Sequence, residues 1–580
     1  MATLALSVAG QFVGGLIGGP IGAVAGRALG ALAGSVVDNA IFGSKSTTAA
    51  PTGSDISLQG SAEGGPIPKL YGWNRVTGNI IWATQLEETT QQSAGAKGTA
   101  PSTTTTTILA NFAVALCEGE VSRLGRIWAD GELLETEQLN LRFYRGSEDQ
   151  LPDSLIEAKQ GADNAPAYRG LCYLVFEQLD LTPFGNRIPN LSVELCRVVG
   201  ELEPAIKAVT IIPGATEFGY DPSPRVRVLG PGSTDNENAH LFSNISDWTW
   251  SLDELQALCP NLEHVSLVVA WFGDDLSCGT CAIAPRVESA SRQVHGASWA
   301  VSGLSRGDAR VVSQVNGGPA YGGTPSDASV LAAIADLKAR GLKVTLYPLV
   351  MMDIAAGNAL ETPYGEAGQP AYPWRGRITC SPAPGQAGTP DQTEGIAAQL
   401  AAFLGGAAAA DFSVSGTTVS YSGPNDWGFR RMVLHYATLA ALAGGVDALI
   451  IGSELRGLTT LRGEGNSFPF VDALATLAED VRAVVGGGTK LTYAADWSEF
   501  SGYQPADAPG DKFFHLDALW ASPAIDALGL DNYWPLADWR DGTDHLDAAI
   551  ADGPCDQGYL RANIDGGEGF DWYYASDADR

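Results

Sequence analysis

Basic residues are scarce in this chain. Thirty-five lysines and arginines stand against 66 aspartates and glutamates over 580 residues, a formal net charge of −31. So acidic a chain forgoes the counterion release that holds nucleic acid and the attraction that holds proteins to an anionic bilayer, which excludes tight binding to either. Cysteine is sparse too: there are eight, scattered apart from Cys278 and Cys281, too few for a disulfide-built scaffold. "SCGTCAIAP" holds a lone CxxC in loop-like sequence with no histidine nearby. It reads as a loop-closing disulfide or two free thiols, not as a zinc or thioredoxin-type site. The six histidines form no HxH or HExxH, so no metal is expected, and no cofactor either. No GxGxxG or P-loop motif follows a strand and no Gly-x-Ser-x-Gly elbow occurs, which sets aside dinucleotide binding, phosphate-loop chemistry and serine hydrolysis.

Glycine, by contrast, is abundant and patterned. Gly14, Gly18, Gly22, Gly26, Gly30 and Gly34 fall every fourth residue, which on a helix makes one smooth stripe suited to close packing. Pro20, Arg27 and the glycines themselves make a poor membrane span, and there is no basic n-region of a secretory signal. Each helical glycine costs roughly 1 kcal/mol. A helical arm over residues 1–44 therefore needs a partner surface to hold it, with a flexible arm as the rival reading.

At this length more than one domain is expected. A polar linker at 45–58 precedes a region, 55–210, of short β-branched and aromatic runs divided by Gly, Pro, Asn and Asp, which reads as a β-rich domain. Within it Ser93–Ile108 has no apolar period and is expected to be a mobile loop. After a connector, 211–260, the pattern changes. "HVSLVVAWF", "KVTLYPLV", "DALIIGSEL", "KLTYAADW" and "IDALGLDNYW" are short apolar runs of the kind buried parallel strands show, and "ARVVSQV" is the expected sixth. Helices lie between them: one from a Ser326 cap to Gly341, one starting after Asn425 or Asp426 and ending at Gly444, one before the strand at 490. Repeated strand and helix predicts an α/β fold, a (β/α)8 barrel over 261–580 with an insertion at 354–424 and only its first six strands in view.

Strand ends in such a barrel meet at one rim. They carry Asp274 and Asp275, Asp353, Glu454, Asp496 with Trp497, and Asp531 with Tyr533. Carboxylates among aromatics suit carbohydrate, since sugar rings stack on Trp and Tyr and hydroxyls need acceptors. Glu454 is the candidate acid/base residue, and Asp274, Asp496, Trp497, Asp531 and Tyr533 are the candidate substrate-binding set. Taken singly, each of these acids is more often a cap, an ion-pair partner or a solvated loop end.

"WFGDDLSCGTC", "LIIGSELRGLT", "YAADWSE" and "LGLDNYWPLADWRDG" resemble the TIM-barrel-like domain of the large tail-tip proteins of gene transfer agents and related tailed phages. "EGGPIPKLYGWNRVTGNIIWAT", "ALCEGEVSRLGRIWADGELL" and "YRGLCYLVFEQLDLTPFGNRIPNLSVEL" resemble the hub part of phage tail tips. The resemblance implies a baseplate hub at the distal end of a virion-like tail, helping to attach to the host and to guide DNA out. It implies as partners other tail and baseplate proteins, further copies in a homotrimer and host surface glycan, with DNA passing without specific binding; the glycine-rich arm allows membrane contact but not a stable span. The barrel is similar to glycoside hydrolases whose acid/base glutamate ends strand four. Glu454 has that address, with Ser453 where such enzymes have Asn, and their nucleophile ends a seventh strand. A structural hub, a glycoside hydrolase trimming surface polysaccharide or peptidoglycan, and a glycan-binding barrel without catalysis are the readings to separate.

Overall fold

The computed structural model describes residue 60 and residues 64–93, 103–136, 138–214, 216–240, 245–533, 536–537 and 539–566. The glycine stripe lies outside the described residues. The chain divides into two compact units: one takes in Arg75–Glu120 and Leu124–Leu195, the other Leu70–Asn74, Val121–Arg123 and the described residues from Cys196 on.

The first unit is β-rich. Strands β1 (Gly72–Thr77), β5 (Arg123–Ala129), β6 (Glu132–Leu133) and β9 (Leu191–Arg197), most of whose residues belong to this unit, form one sheet in the order β1-β9-β5-β6. Strands β2 (Asn79–Ala83), β3 (Glu87–Ser93), β4 (Thr103–Glu118), β7 (Asn140–Tyr144) and β8 (Leu171–Asp180) form a second, with β4 paired to β2, β3 and β8. Cross-strand aromatic pairs pin its register: Phe112 lies opposite Phe176 with ring centroids 4.9 Å apart, and Tyr144 opposite Tyr173 at 4.4 Å. The expectation of a loop over Ser93–Ile108 is corrected here, because Thr103–Ile108 is the first part of β4, paired with β3 from Ser93↔Thr103 onward. Threonine's branched β-carbon favours a strand whichever face is wet, so a hairpin forms with no apolar alternation to announce it. Helix α1 (Ser154–Gln160) is capped by Asp153.

The second unit is built on a parallel sheet in the order β10 (Ala208–Ile211), β11 (His264–Gly273), β12 (Lys343–Met352), β13 (Ala448–Ser453), β14 (Lys490–Asp496), β15 (Gly529–Asp531). Helices alternate with the strands: α2 (Asp247–Leu258), α3 (Asp327–Ala339), α4 (Phe429–Leu442) and α5 (Pro469–Val485), then a single turn at Asp517–Trp520. Ser326 caps α3, its hydroxyl accepting the Ser329 amide at 3.2 Å, and Gly341 ends it at φ 78°. α4 starts at a Gly428 cap, later than the expected Asn425 or Asp426, and buries Phe429, Met432, Val433 and Tyr436. Side chains alternate across the sheet. Val265, Leu267, Val269, Trp271, Val344, Leu346, Leu449, Ile451 and Leu491 join the main core with the helices, while Val268, Tyr347, Ile450 and Ala494 make a separate small cluster. Each fully buried aliphatic side chain contributes about 1.5–3 kcal/mol, so the helix-covered face holds the unit together.

This is a TIM-barrel-like half barrel, with six parallel strands among the described residues. The expected strand at "ARVVSQV" is corrected. Arg310–Val311 pairs with Arg286–Val287, and Gln314–Val315 makes a small hairpin with Gly318–Pro319, both outside the main sheet. Residues 310, 311, 314 and 315 are all exposed, whereas a central barrel strand is buried on both faces. The remaining strand is instead β10, upstream of residue 211 where the connector was expected to begin. The exchange leaves β13 fourth in the sheet.

Candidate functional site

The C-terminal ends of the parallel strands gather a polar cluster. β13 shifts register between Ile450 and Ser453, which brings Ser453 opposite Ala494. Gly452 permits the shift, since a Cβ there would meet the Phe429 and Tyr493 rings at 3.1 and 3.3 Å. Glu454 follows at φ 49°, a left-handed conformation that costs a non-glycine residue roughly 1–2 kcal/mol and persists where its surroundings over-determine it. Its amide donates to the Ala494 carbonyl at 2.9 Å, and its side chain is buried.

Two groups from the insertion reach Glu454. The Trp374 indole donates to Oε2 at 2.5 Å, and the Arg375 guanidinium lies 3.0 Å from the same oxygen. Arg375 also binds Ser453, through the carbonyl at 3.0 Å and the hydroxyl at 2.8 Å. The Ser453 hydroxyl donates to Asp531 Oδ2 at 2.8 Å, and Tyr347 joins both, 2.5 Å from the Ser453 hydroxyl and 2.8 Å from Asp531. Burial raises the Glu454 carboxyl above the ordinary carboxylate range, and the charges of Asp531 and Asp496 add to it. Arg375 and the Trp374 N–H pull the other way without cancelling the rise.

Each candidate residue named from the sequence has a definite place. Asp496, the last residue of β14, stands in register with Asp531, the last of β15, and accepts the Ser498 amide at 3.0 Å. The Trp497 amide donates to the Asp531 carbonyl at 3.1 Å. Tyr533 is 68% exposed, and its hydroxyl is raised first by partial burial and then by the charges of Glu454 and Asp531, which sets it at the same rim. Asp274 is occupied elsewhere: its carboxylate pairs with Arg310 at 2.7 Å and accepts the Ala282 amide at 2.8 Å. Asp353 is held by Arg286 at 2.7 Å. Cys278 and Cys281 are buried free thiols, both raised by burial, Cys281 to about 12.

Sequence reasoning missed Trp374, Arg375, Tyr347 and the linking role of Ser453. "YPWRGR" in the insertion, an aromatic beside two arginines in an acidic chain, was the available signal. Chemically the cluster offers fixed carboxylates, a raised acid and an exposed aromatic, a combination that hydrogen-bonds and stacks polyhydroxy rings.

A parallel sheet of six strands in sequence order, with carboxylates at its C-terminal rim, has the layout of part of a TIM-barrel-like domain. Residues 427–580 match the family model of the GTA (gene transfer agent) TIM-barrel-like domain. No curated protein matches the chain. Among solved structures it is similar to a chain of the virion of a native gene transfer agent particle, at 37% identity over 32% of this chain and 44% of that one, TM-score 0.22. It is also similar to a GH113 β-1,4-mannanase at 15% identity over 53% and 58% of the two chains, TM-score 0.22. For the GH113 β-mannanase of Alicyclobacillus acidocaldarius the identity is 15% over 52% and 58%, TM-score 0.23. The chain thus spans less than half of the virion protein it matches and a little over half of the mannanases.

Proposed function

We propose that the chain is a structural protein of a gene transfer agent tail, a baseplate hub whose half barrel presents the Glu454 rim to host surface glycan. One observation carries the reading: the segment matched to the gene transfer agent domain, 427–580, contains Glu454, Asp496, Trp497, Asp531 and Tyr533 together. A domain with that particle affiliation and that rim chemistry fits attachment, where a sugar chain is held by stacking and by donation from its hydroxyls to fixed acceptors. In the same proposal residues 55–210 form the hub around a threefold axis with other tail and baseplate proteins. The net charge of −31 keeps departing DNA from adhering to it. Imaging of intact particles with a tag in this segment tests the assignment: density at the tail axis, at the distal end, is expected. A peripheral tag, or one along the tail tube, contradicts it.

The raised Glu454 carboxyl favours a second reading, glycoside hydrolysis with Glu454 as the acid/base. Host polysaccharide or peptidoglycan incubated with wild type and Glu454→Gln separates the two. Binding by wild type without cleavage supports docking. Cleavage lost in the variant supports hydrolysis, and equal cleavage by both excludes Glu454 as the acid.

A further inference from the structure

Beneath the Glu454 turn lies a carboxylate that glycan docking leaves unused. Glu499, three residues past the end of β14, is 1% exposed. Its Oε2 accepts the Asp496 amide at 3.0 Å, and its Oε1 accepts the Tyr493 hydroxyl at 3.1 Å and the Thr459 hydroxyl. The Tyr493 oxygen in turn accepts the Leu455 amide at 2.8 Å. A single side chain is therefore bonded to the strand end carrying Asp496, to the short helix Arg456–Thr459, and through Tyr493 to the residue after Glu454. All its donors are neutral.

We propose that Glu499 is a positioning residue, a proton-dependent brace that fixes the turn bearing Glu454 against the strand end bearing Asp496. This deepens the glycan reading by naming a regulator of that rim, and the brace can be measured without any glycan. The surrounding titratable and charged groups are few. β14 supplies Tyr493 and Asp496, and the end of β13 supplies Glu454. The insertion supplies Arg375, whose guanidinium is engaged by Ser453 and Glu454. The short helix supplies Arg456, whose influence falls on Tyr503 and His515. Burial raises Glu499 and the three donors oppose it, while the Asp496 charge adds to the rise, for a net value of about 7. Protonated on Oε1, Glu499 is a neutral group that either hydroxyl can turn to accept. Once that proton is lost to solvent it is a buried anion among neutral donors, and opening of the turn to water relieves it.

Hydrogen exchange of the full chain, followed on peptides covering residues 453–456 and corrected for intrinsic rates, tests the brace. Protection in wild type falls by roughly tenfold or more between about pH 5.5 and about pH 8, because the open state binds fewer protons than the closed one. In Glu499→Gln, whose amide stands where the acid's O–H would be, protection stays level across that range. Tyr493→Phe, which cuts the link to Leu455, lowers protection at both pH values and removes the dependence. Level protection in wild type, or the same fall in Glu499→Gln, overturns the proposal. Exchange that follows pH while glycan binding is absent leaves the brace standing and sinks the docking role. Glycan binding with pH-independent exchange does the reverse.

Discussion

Two buried carboxylates, Asp153 in the first unit and Glu454 in the second, each meet one arginine and one aromatic donor, yet their acidities move in opposite directions. Asp153 accepts Arg142 at 2.6 and 3.1 Å through both oxygens, the Tyr144 hydroxyl at 2.9 Å, and the Leu155 and Ile156 amides of the helix it caps. Burial works to raise it, and Arg142, Tyr144 and the Ile156 amide outweigh burial, so it stays below the ordinary range. Glu454 has two donors, both on Oε2, and two neighbouring acids. Burial is the largest contribution to both, and whether the donors outweigh it, with or without neighbouring anions, decides the sign, rather than the presence of an arginine. The first arrangement uses up its carboxylate to hold a fold; the second leaves Glu454 Oε1 without a protein partner among the described residues, free for a ligand.

The largest effect that could break this comparison is on Asp153. Asp153→Ala leaves Arg142 without its main partner and uncaps α1, and is expected to cost the first unit about 3–5 kcal/mol in urea unfolding of the full chain. A loss below about 1 kcal/mol would mean the pair is ornamental.

Next comes pH. Glu499 has a folded value of about 7 against an ordinary 4.5, so its contribution is complete below about pH 4.5 and is lost as pH rises toward 7. That amounts to about 3 kcal/mol from the second unit, absent in Glu499→Gln. Asp153 runs the other way: its folded value is depressed, so its contribution is present above the ordinary carboxylate range and is lost as pH falls through the folded value. Unfolding curves at several pH values should show the second unit losing stability as pH rises from about 4.5 toward 7, and the first losing it as pH falls below the ordinary carboxylate range.

Smaller still is Glu454→Gln, which keeps an acceptor for Trp374 and Arg375 and removes a poorly compensated charge. Stability should change by about 1 kcal/mol or less while glycan binding is lost. Tyr533→Ala, at a 68% exposed ring, should leave stability within about 0.5 kcal/mol and weaken only glycan affinity, as titration calorimetry would read.

Much of the second unit was legible in the sequence because its strands are buried on both faces and its helices carry caps and glycine stops. "HVSLVVAWF" and "KVTLYPLV" are β11 and β12 in full ten-residue register, and Ser326 caps α3 as the pattern implied. β10 was missed because "AVTI" is short and half exposed at a sheet edge, and Thr103–Ile108 because a polar strand has no apolar period. "ARVVSQV" misled for the opposite reason: alternation there makes exposed two-residue pairings. At the rim, strand ends were readable from position alone. Trp374 and Arg375 arrive from an insertion without periodicity, and Glu499 sits on a turn where a carboxylate ordinarily faces water.

The most direct test of the difference between the two carboxylates is a carboxyl-13C titration of the full chain labelled at glutamate, with the Glu454 resonance assigned as the one missing in Glu454→Gln. The account predicts a midpoint above the ordinary glutamate value of about 4.5. A midpoint at or below that value would show that Arg375 neutralises Glu454 as Arg142 does Asp153, and would contradict the claim that this rim holds an acid available for function.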